Sequence, residues 1–497
     1  MNFAKSLMLG GAALLVATAG AQAADLPLKA KAVEYVKVCS LYGAGFYYIP
    51  GTDTCIKLGG YIRAEYAFNA GGMTETPSWN SNAGQGNRLS NNTIYRSRAD
   101  VNIDTRTATE YGVVRTYFDS VFTWTTGSDT VANGSLGVFF AFVQFAGFTF
   151  GKAVSAFSTP WHGGPGNITS NLLGGDDTST GINQVSYTAE FGNGVSASIS
   201  LEDQSGYRWA QGNSGGNISL LNVTPGNGTS TSWLSGLGSY TGTSYSAGTS
   251  IPDIVGKVRV DQAWGLFQVS AAAHQIRGGY YNPSNEWSGH PGDKWGYAVL
   301  AGLSLKNLPT GPGDSINLDA TYADGAIRYV IGGTSPNYFS MFGNNADGVA
   351  YQSLALGTAV DGVYVNGGGI ETTKAWGIRG AFNHNWNKNW ATSIFGAYSS
   401  VDYGSTGGAL YTAALFNRVG GTFTGNPNFS IAQIGTRTSW TPVKNLTFSG
   451  EVMWVHLDQN YTGVTGVTSP GGTKPTAVYQ FKDQDTVVGA VRVQRTF

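Results

Sequence analysis

Basic side chains recur on the polar side of alternating segments in this 497-residue chain, and their spacing raises the first chemical question. Arg63, Arg96, Arg98 and Arg115 belong to the first three such segments, and Lys152 ends the fifth; together they predict a basic wall. An insertion follows, Ala153 to Gly181, with Pro160, Trp161, a glycine-rich run from Gly163 to Gly166 and the adjacent acids Asp176 and Asp177. Folded inward, it would set carboxylates across from arginines, and the transverse field would orient dipolar solutes and screen ions by charge and size. On spacing alone, an ordinary surface loop with a solvated Asp pair accounts for it equally well. The arginines are more demanding. Unpaired charges inside a dry core are very costly, so such a wall requires water or many counter-charges, and a water-filled channel meets that need simply.

Other chemistry finds less support. The five histidines, His162, His274, His290, His384 and His456, lie in no recognisable constellation with Ser and an acid. Solvated or interface-level positions are the simpler account, and catalysis ranks well below transport. Asn-x-Ser/Thr triplets such as Asn167 to Thr169 are expected by chance in polar loops. The run Gly367 to Gly369 lacks the strand-turn-helix setting of a phosphate loop. Basic and acidic residues nearly balance at 29 and 30, which identifies no nucleic-acid partner.

Charged residues make up 12% of the chain, aromatics 13%, and glycine reaches 72 residues. A soluble protein so poor in charge would risk aggregation, whereas a barrel with a lipid-facing band needs few charges. Mean hydropathy is only −0.11, and past the N-terminus no apolar run approaches the roughly 18 to 20 residues of a membrane helix. Spanning must then fall to strands.

Period-two alternation predicts sixteen of them: Ile56 to Phe68, Thr93 to Arg106, Glu110 to Trp124, Leu136 to Ala146, Gly147 to Lys152, Ile182 to Glu190, Val195 to Asp203, Ile251 to Ala263, Gly265 to Ile276, Lys294 to Lys306, Asp314 to Asp324, Thr373 to Trp386, Asn389 to Tyr403, Asn428 to Trp440, Asn445 to Gln459 and Thr486 to Phe497. In the fourth and fifth, Phe139, Val143, Phe145, Phe148 and Phe150 are placed outward. Short and long links alternate, as in closed antiparallel transmembrane β-barrels with short periplasmic turns and long external loops. Gln204 to Ser250, the longest loop, reads as an exposed polar segment. The final strand must seal against the first, with Arg492 inward, Arg495 on the lipid face and the terminal Phe497 as anchor.

Met1 to Ala23 reads as a secretory leader, with Lys5, an apolar centre from Leu7 to Val16, and a small-residue cleavage site at Ala21 to Ala23. Residues 24–55 form an N-terminal periplasmic segment and residues 56–497 the pore domain. Cys39 and Cys55 are the only cysteines in a chain bound for an oxidising compartment, which predicts one disulfide before the first strand.

Four blocks now carry a resemblance: Ala24 to Phe68, Arg98 to Ser120 (RADVNIDTRTATEYGVVRTYFDS), Phe145 to Lys152 (FAGFTFGK), and the closing Arg-Val-Gln-Arg-Thr-Phe. They resemble the porins of alphaproteobacteria along nearly the full mature chain. The resemblance implies a sixteen-stranded all-β barrel in the outer membrane of a Gram-negative bacterium. It implies a homotrimer among lipid and lipopolysaccharide, passing small hydrophilic solutes and ions without a cofactor. It also implies that the third external loop folds into the lumen, which favours the inward reading of Ala153 to Gly181 and sets Asp176 and Asp177 before the arginines.

Overall fold

The computed structural model describes residues 37–69, 87–89, 91–127, 129–130, 132–168, 172–204, 219–224, 246–282, 284–332, 338–468 and 474–497. The leader and the start of the N-terminal segment lie outside them. The main sheet has seventeen strands, of which Tyr47–Tyr48 is a two-residue addition beside the first long strand. The other sixteen are β1 (Thr54–Phe68), β2 (Thr93–Thr109), β3 (Gly112–Thr125), β4 (Ser135–Phe145), β5 (Phe148–Ala153), β6 (Ile182–Gly192), β7 (Val195–Asp203), β8 (Asp253–Gln262), β9 (Gly265–Ile276), β10 (Lys294–Lys306), β11 (Ser315–Asp324), β12 (Lys374–Asn385), β13 (Trp390–Asp402), β14 (Phe429–Val443), β15 (Leu446–Gln459) and β16 (Gln484–Thr496). Each pairs antiparallel with its neighbours.

The ring closes where Tyr61 to Phe68 of β1 meet Thr496 to Gly489 of β16. Closure leaves no sheet edge, the condition for strands to cross lipid without orphaned backbone donors. Phe497 extends the seam, its N–H donating to the Gly60 carbonyl at 3.0 Å. Gly60 has φ +154°, and a Cβ there would lie 2.1 Å from the Asp100 oxygen, so only glycine fits this point. Arg495 stands on the outer face, and its guanidinium donates to the Lys444 carbonyl in the neighbouring turn, which accounts for a charge among lipid-facing residues.

Outward positions such as Leu58, Ile62, Val101, Phe118, Ile254, Val258, Ile378 and Ile434 are exposed and apolar, as a lipid face requires. Short turns follow local chemistry. Asn193 and Gly194, both at positive φ, make the tight connection between β6 and β7. One assignment from the alternation is overturned. The β3–β4 register slips between Asp119 and Ser120, leaving Phe139 as the extra residue, and its ring meets Arg98 at 5.6 Å instead of facing outward. A one-residue bulge reverses the face of everything beyond it.

Cys39 and Cys55 form the expected disulfide, closing a sequence separation of 16. A loop of that size is worth about 3 kcal/mol in the chain-entropy account. Reduction is expected to lower stability by about that amount while leaving the barrel ladder intact, measured as a shift of the urea midpoint under reducing and non-reducing conditions.

The long-loop end carries structure that alternation alone does not disclose. Tyr338–Gly343, Gln352–Thr358, Gly421–Thr424, Thr462–Thr465 and Tyr479–Phe481, from three different loops, build a five-stranded sheet. A three-stranded sheet joins Leu220–Asn222 to Gly362–Tyr364 and Glu371–Thr372. The helix α1 (Gly404–Val419) packs Tyr411 and Leu415 beneath them. Residues 219–223 are buried, so this stretch of the 204–250 loop departs from the exposed polar segment its composition suggests, whereas residues 248–250 are exposed. Residues 205–218 and 225–245 lie outside the described residues.

These loops share one hydrophobic core with inward residues of the barrel, including Val255, Leu300, Phe395, Ile431 and Val455. None of its barrel-strand members comes from β1 to β7. Apolar packing of the loops against the barrel interior is therefore concentrated on the β8 to β16 side, and β1 to β7 contribute no strand residue to that core.

Candidate functional site

The polar side is built from β16 and β1 to β4, whose register sets charges in rows across the wall. Glu65 lies opposite Arg96 on one side and Arg492 on the other. It is 5% exposed and binds both, with Arg96 Nε at 2.5 Å and Arg492 Nε at 2.6 Å. One row further, Arg63 sits between Arg98 and Gln494, donates to Gln494 Oε1 at 2.8 Å and stacks on Tyr61. Arg98 donates to Thr123 Oγ1 at 3.0 Å. Towards the short-turn end, Asp104 holds both Arg106 and Arg115, and Arg115 also reaches Gln144.

Alternation places these groups on one face; the cross-strand register decides who pairs with whom. The outcome is asymmetric. Glu65, Asp100, Asp104 and Asp119 are all at most 8% exposed, whereas Arg63, Arg98, Arg106 and Arg115 remain half-buried and present their guanidinium edges to the lumen.

Lys152 is not part of this wall. It shares the face of Phe148 and Phe150, opposite Ala141, and its ammonium donates to the Val138 carbonyl. With a period of two, a residue two and four places from outward phenylalanines cannot point inward unless a bulge intervenes.

Over its described residues, the 154–181 loop does enter the lumen. Its hydrogen bonds follow the inner wall around the ring. Ser155 and the Ala156 amide reach Glu202 on β7, the Phe157 and Ser158 carbonyls accept from Gln268 on β9, and Trp161 Nε1 donates to Asp319 on β11. The Pro165 carbonyl accepts from Asn383 on β12, and Gly166 from Ser393 on β13. At Ile168 the amide donates to Glu451 on β15 and the carbonyl accepts from Arg492 on β16. The returning segment is held by Gln433 on β14 and by Arg379 on β12. Thus the loop lines the wall opposite β1 to β4.

Arg379 is the strongest tie and was not among the residues the sequence singled out. It is 1% exposed. Its Nε pairs with Asp319 at 2.9 Å, and its other nitrogens donate to the carbonyls of Leu172, Gly175 and Asp176. Beside it, Gly377 lets the loop backbone touch the wall, since a Cβ there would lie 2.2 Å from the Gly174 Cα. An inward Arg flanked by Gly two places away on one strand was the available signal, but its partners are some 200 residues distant in sequence.

Asp176 and Asp177 are brought into the lumen yet not onto the arginines. The Asp176 carboxylate accepts from Ser158, and Asp177 Oδ1 accepts from the Ser179 amide at 2.9 Å. Neither forms an ion pair with Arg63, Arg96, Arg98 or Arg115, whose partners are Gln494, Glu65, Thr123 and Asp104 with Gln144. The two aspartates are 4% and 7% exposed. Changing both to Asn is expected to leave the bilayer reversal potential nearly unchanged.

Burial pushes the Asp176 carboxyl up to about 7 from 3.8. Its folded value lies above the unfolded one, so this contribution to stability is complete below about 4 and is lost as pH rises through about 7. Asp176→Asn is expected to flatten that part of the pH profile of thermal unfolding.

Three histidines hydrogen-bond to aspartates: His274 to Asp253 at 2.7 Å, His384 to Asp314 at 2.7 Å and His456 to Asp485 at 2.9 Å. The first belongs to a buried network in which Asp253 also accepts from Tyr329 and so ties β8 to the 325–373 loop.

Comparison with known proteins adds to this geometry. The sequence pattern described as Porin subfamily matches residues 25–490. Porin Omp2b of Brucella suis is 32% identical over 275 residues, 52% of this chain and 64% of that protein. Porin Omp2b of Brucella canis is 34% identical over 277 residues, 52% and 63% respectively. The alignments thus span just under two thirds of these relatives. Among solved structures, the outer membrane channel DcaP of Acinetobacter baumannii superposes with a TM-score of 0.58 at 15% identity, covering 90% of this chain and 99% of that one, a likeness of fold.

Proposed function

Because this chain belongs to the Porin subfamily, we propose that it is a water-filled channel through which ions and small hydrophilic solutes diffuse passively. The barrel and the family place it in the outer membrane of a Gram-negative cell. The observation that carries the channel reading is the charged inner wall of β1 to β4, set opposite a loop hydrogen-bonded across the lumen. Half-buried guanidinium groups need water, and a solvated passage between wall and loop supplies it. The relatives point to a channel rather than an enzyme.

In this reading Arg63, Arg98 and Arg115 form one side of the constriction and the 154–181 loop the other. The accessible charges there are cationic while the carboxylates are buried, which favours anions. The chain works as a homotrimer among lipid and lipopolysaccharide, after removal of residues 1–23. Purified protein in a planar bilayer should give stepwise conductance, with a reversal potential under a salt gradient that reports anion preference. Absence of any conductance would refute the channel.

A substrate-selective channel is the second reading, favoured by the inward rings of Tyr117, Phe140 and Phe142, with Tyr117 stacked on Phe142 at 5.4 Å. A saturable block of conductance by one sugar and not others would support it.

A further inference from the structure

Lys257 lies on the inner face of β8, opposite Ser198 of β7 and Ser270 of β9. It is half-buried. Unlike Arg63, Arg96, Arg98, Arg115 and Arg259, it forms no hydrogen bond or ion pair among the described residues. Two wall carboxylates, Glu202 and Glu190, act on it electrostatically, and Glu202 is turned to the constriction loop, where it accepts from Ser155 Oγ at 2.6 Å and the Ala156 amide at 2.9 Å.

In front of Lys257 is a cavity of about 350 Å³ along the β3 to β8 wall, bounded at its far end by Arg115, Tyr117 and Phe142 and at the loop root by Ala153 and Ala156. The two cations in it are not equivalent. Arg115 is paired with Asp104, which it shares with Arg106, and is also bonded to Gln144, while stacked against Tyr117 and Phe142. Lys257 has no carboxylate in contact with it among the described residues, Glu202 and Glu190 acting only from further off, and the Ser186 and Ser198 side chains line the same space.

An ammonium group in a confined space, walled by aromatic rings and short of counter-charge, attracts an anion more strongly than one in open water. We propose that this cavity is an anion-holding subsite, taking a solute that presents a carboxylate or phosphate group to Lys257. The proposal rests on the channel reading above. It goes beyond that reading by locating a resting point for the solute at the root of the loop, away from the row formed by Arg63 and Arg98. A weak site suits a channel, since a solute must be held enough to enter and loosely enough to leave.

The test uses the purified full-length protein in a planar bilayer, with inorganic phosphate and acetate as separate probes added to a chloride gradient. One unit charge beside the passage is worth about a fivefold change in anion-to-cation permeability ratio. Lys257→Gln is expected to lose about that factor and Lys257→Glu more, while Lys257→Arg retains the wild-type reversal potential. At least one probe should reduce the wild-type chloride current, phosphate alone identifying a phosphate site and acetate alone a carboxylate site. The half-blocking concentration should rise about fivefold or more in Lys257→Gln. Normal conductance with an unchanged reversal potential in both Lys257→Gln and Lys257→Glu, or a block unaltered by them, would overturn the subsite and leave the channel standing. Absence of wild-type conductance would instead remove the channel reading itself.

Discussion

Arg379→Leu is expected to destabilise the folded protein by about 3–5 kcal/mol and to raise single-channel conductance, because it removes the tie that holds the returning half of the lumen loop. Arg379 and Asp319 are 1% and 2% exposed. Without the guanidinium, Asp319 keeps only the Trp161 and Thr159 donors, and the carbonyls of Leu172, Gly175 and Asp176 lose theirs. A buried carboxylate short of its counter-ion accounts for most of the cost. Two consequences can be separated. The double change Arg379→Leu with Asp319→Leu takes away the orphaned charge and should recover most of the stability, measured by urea unfolding. It cannot restore the hydrogen bonds to the loop, so conductance should stay raised. If the single variant kept wild-type conductance and stability, the loop would be held by its other contacts alone.

Glu65→Gln is expected to have the second large effect, on both stability and ion preference. Glu65 sits at the seam and is bonded to Arg96 on β2 and Arg492 on β16, two strands that meet only through β1. Removing its charge leaves Arg63, Arg96, Arg98 and Arg492 on one patch without the carboxylate between them. Loss of one partner from a buried ion cluster costs about 3–5 kcal/mol, and one added unit of positive charge beside the passage shifts the permeability ratio towards anions about fivefold. The reversal potential under a salt gradient reads the second effect directly. A wild-type value in a folded variant would show that this row does not face the conducting path. Glu65→Asp, which keeps the charge on a shorter arm, should retain the ion preference while losing part of the stability.

These two residues differ in how far they could be read from the chain. Glu65 lies in the polar register of the first strand, Lys57, Tyr61, Arg63, Glu65, so alternation places it inside, and antiparallel succession makes β2 its neighbour. Which of Arg96 and Arg98 it meets depends on the β1–β2 register, which pairing along the whole length of the two strands fixes and parity does not. Arg379 was equally visible as an inward position of β12, yet nothing local links it to Leu172 or Asp176. The same limit explains Asp176 and Asp177. Their proximity to the lumen follows from the loop's place after β5, but their orientation follows from Ser158 and the walls they pack on.

Lys152 and Phe139 show the converse case, where local pattern suffices if followed strictly or fails for one added residue. Lys152 has the parity of Phe148 and Phe150, and parity alone places it outside. Phe139 has the parity of an outward residue, and a bulge opposite Asp119 and Ser120 turns it in. The paired strands in the outer loops were beyond reach for a different reason. They are short runs such as Gln352 to Leu354 and Tyr479 to Phe481, joined in parallel across more than a hundred residues, and each is stable only because the other is there.

By itself, then, the sequence determined the sixteen strands, their faces except at the Phe139 bulge, the closure of β16 on β1 and the disulfide, because period-two burial and short turns are local rules that each strand obeys independently. Tertiary structure alone decided which charges neutralise one another, that the hydrophobic core inside the barrel draws its strand members from β8 to β16, and that Lys257 has no hydrogen-bonded or ion-paired partner among the described residues. Those outcomes depend on cross-lumen distances, and a chain folded into a ring brings together residues whose separation in sequence carries no information about their separation in space.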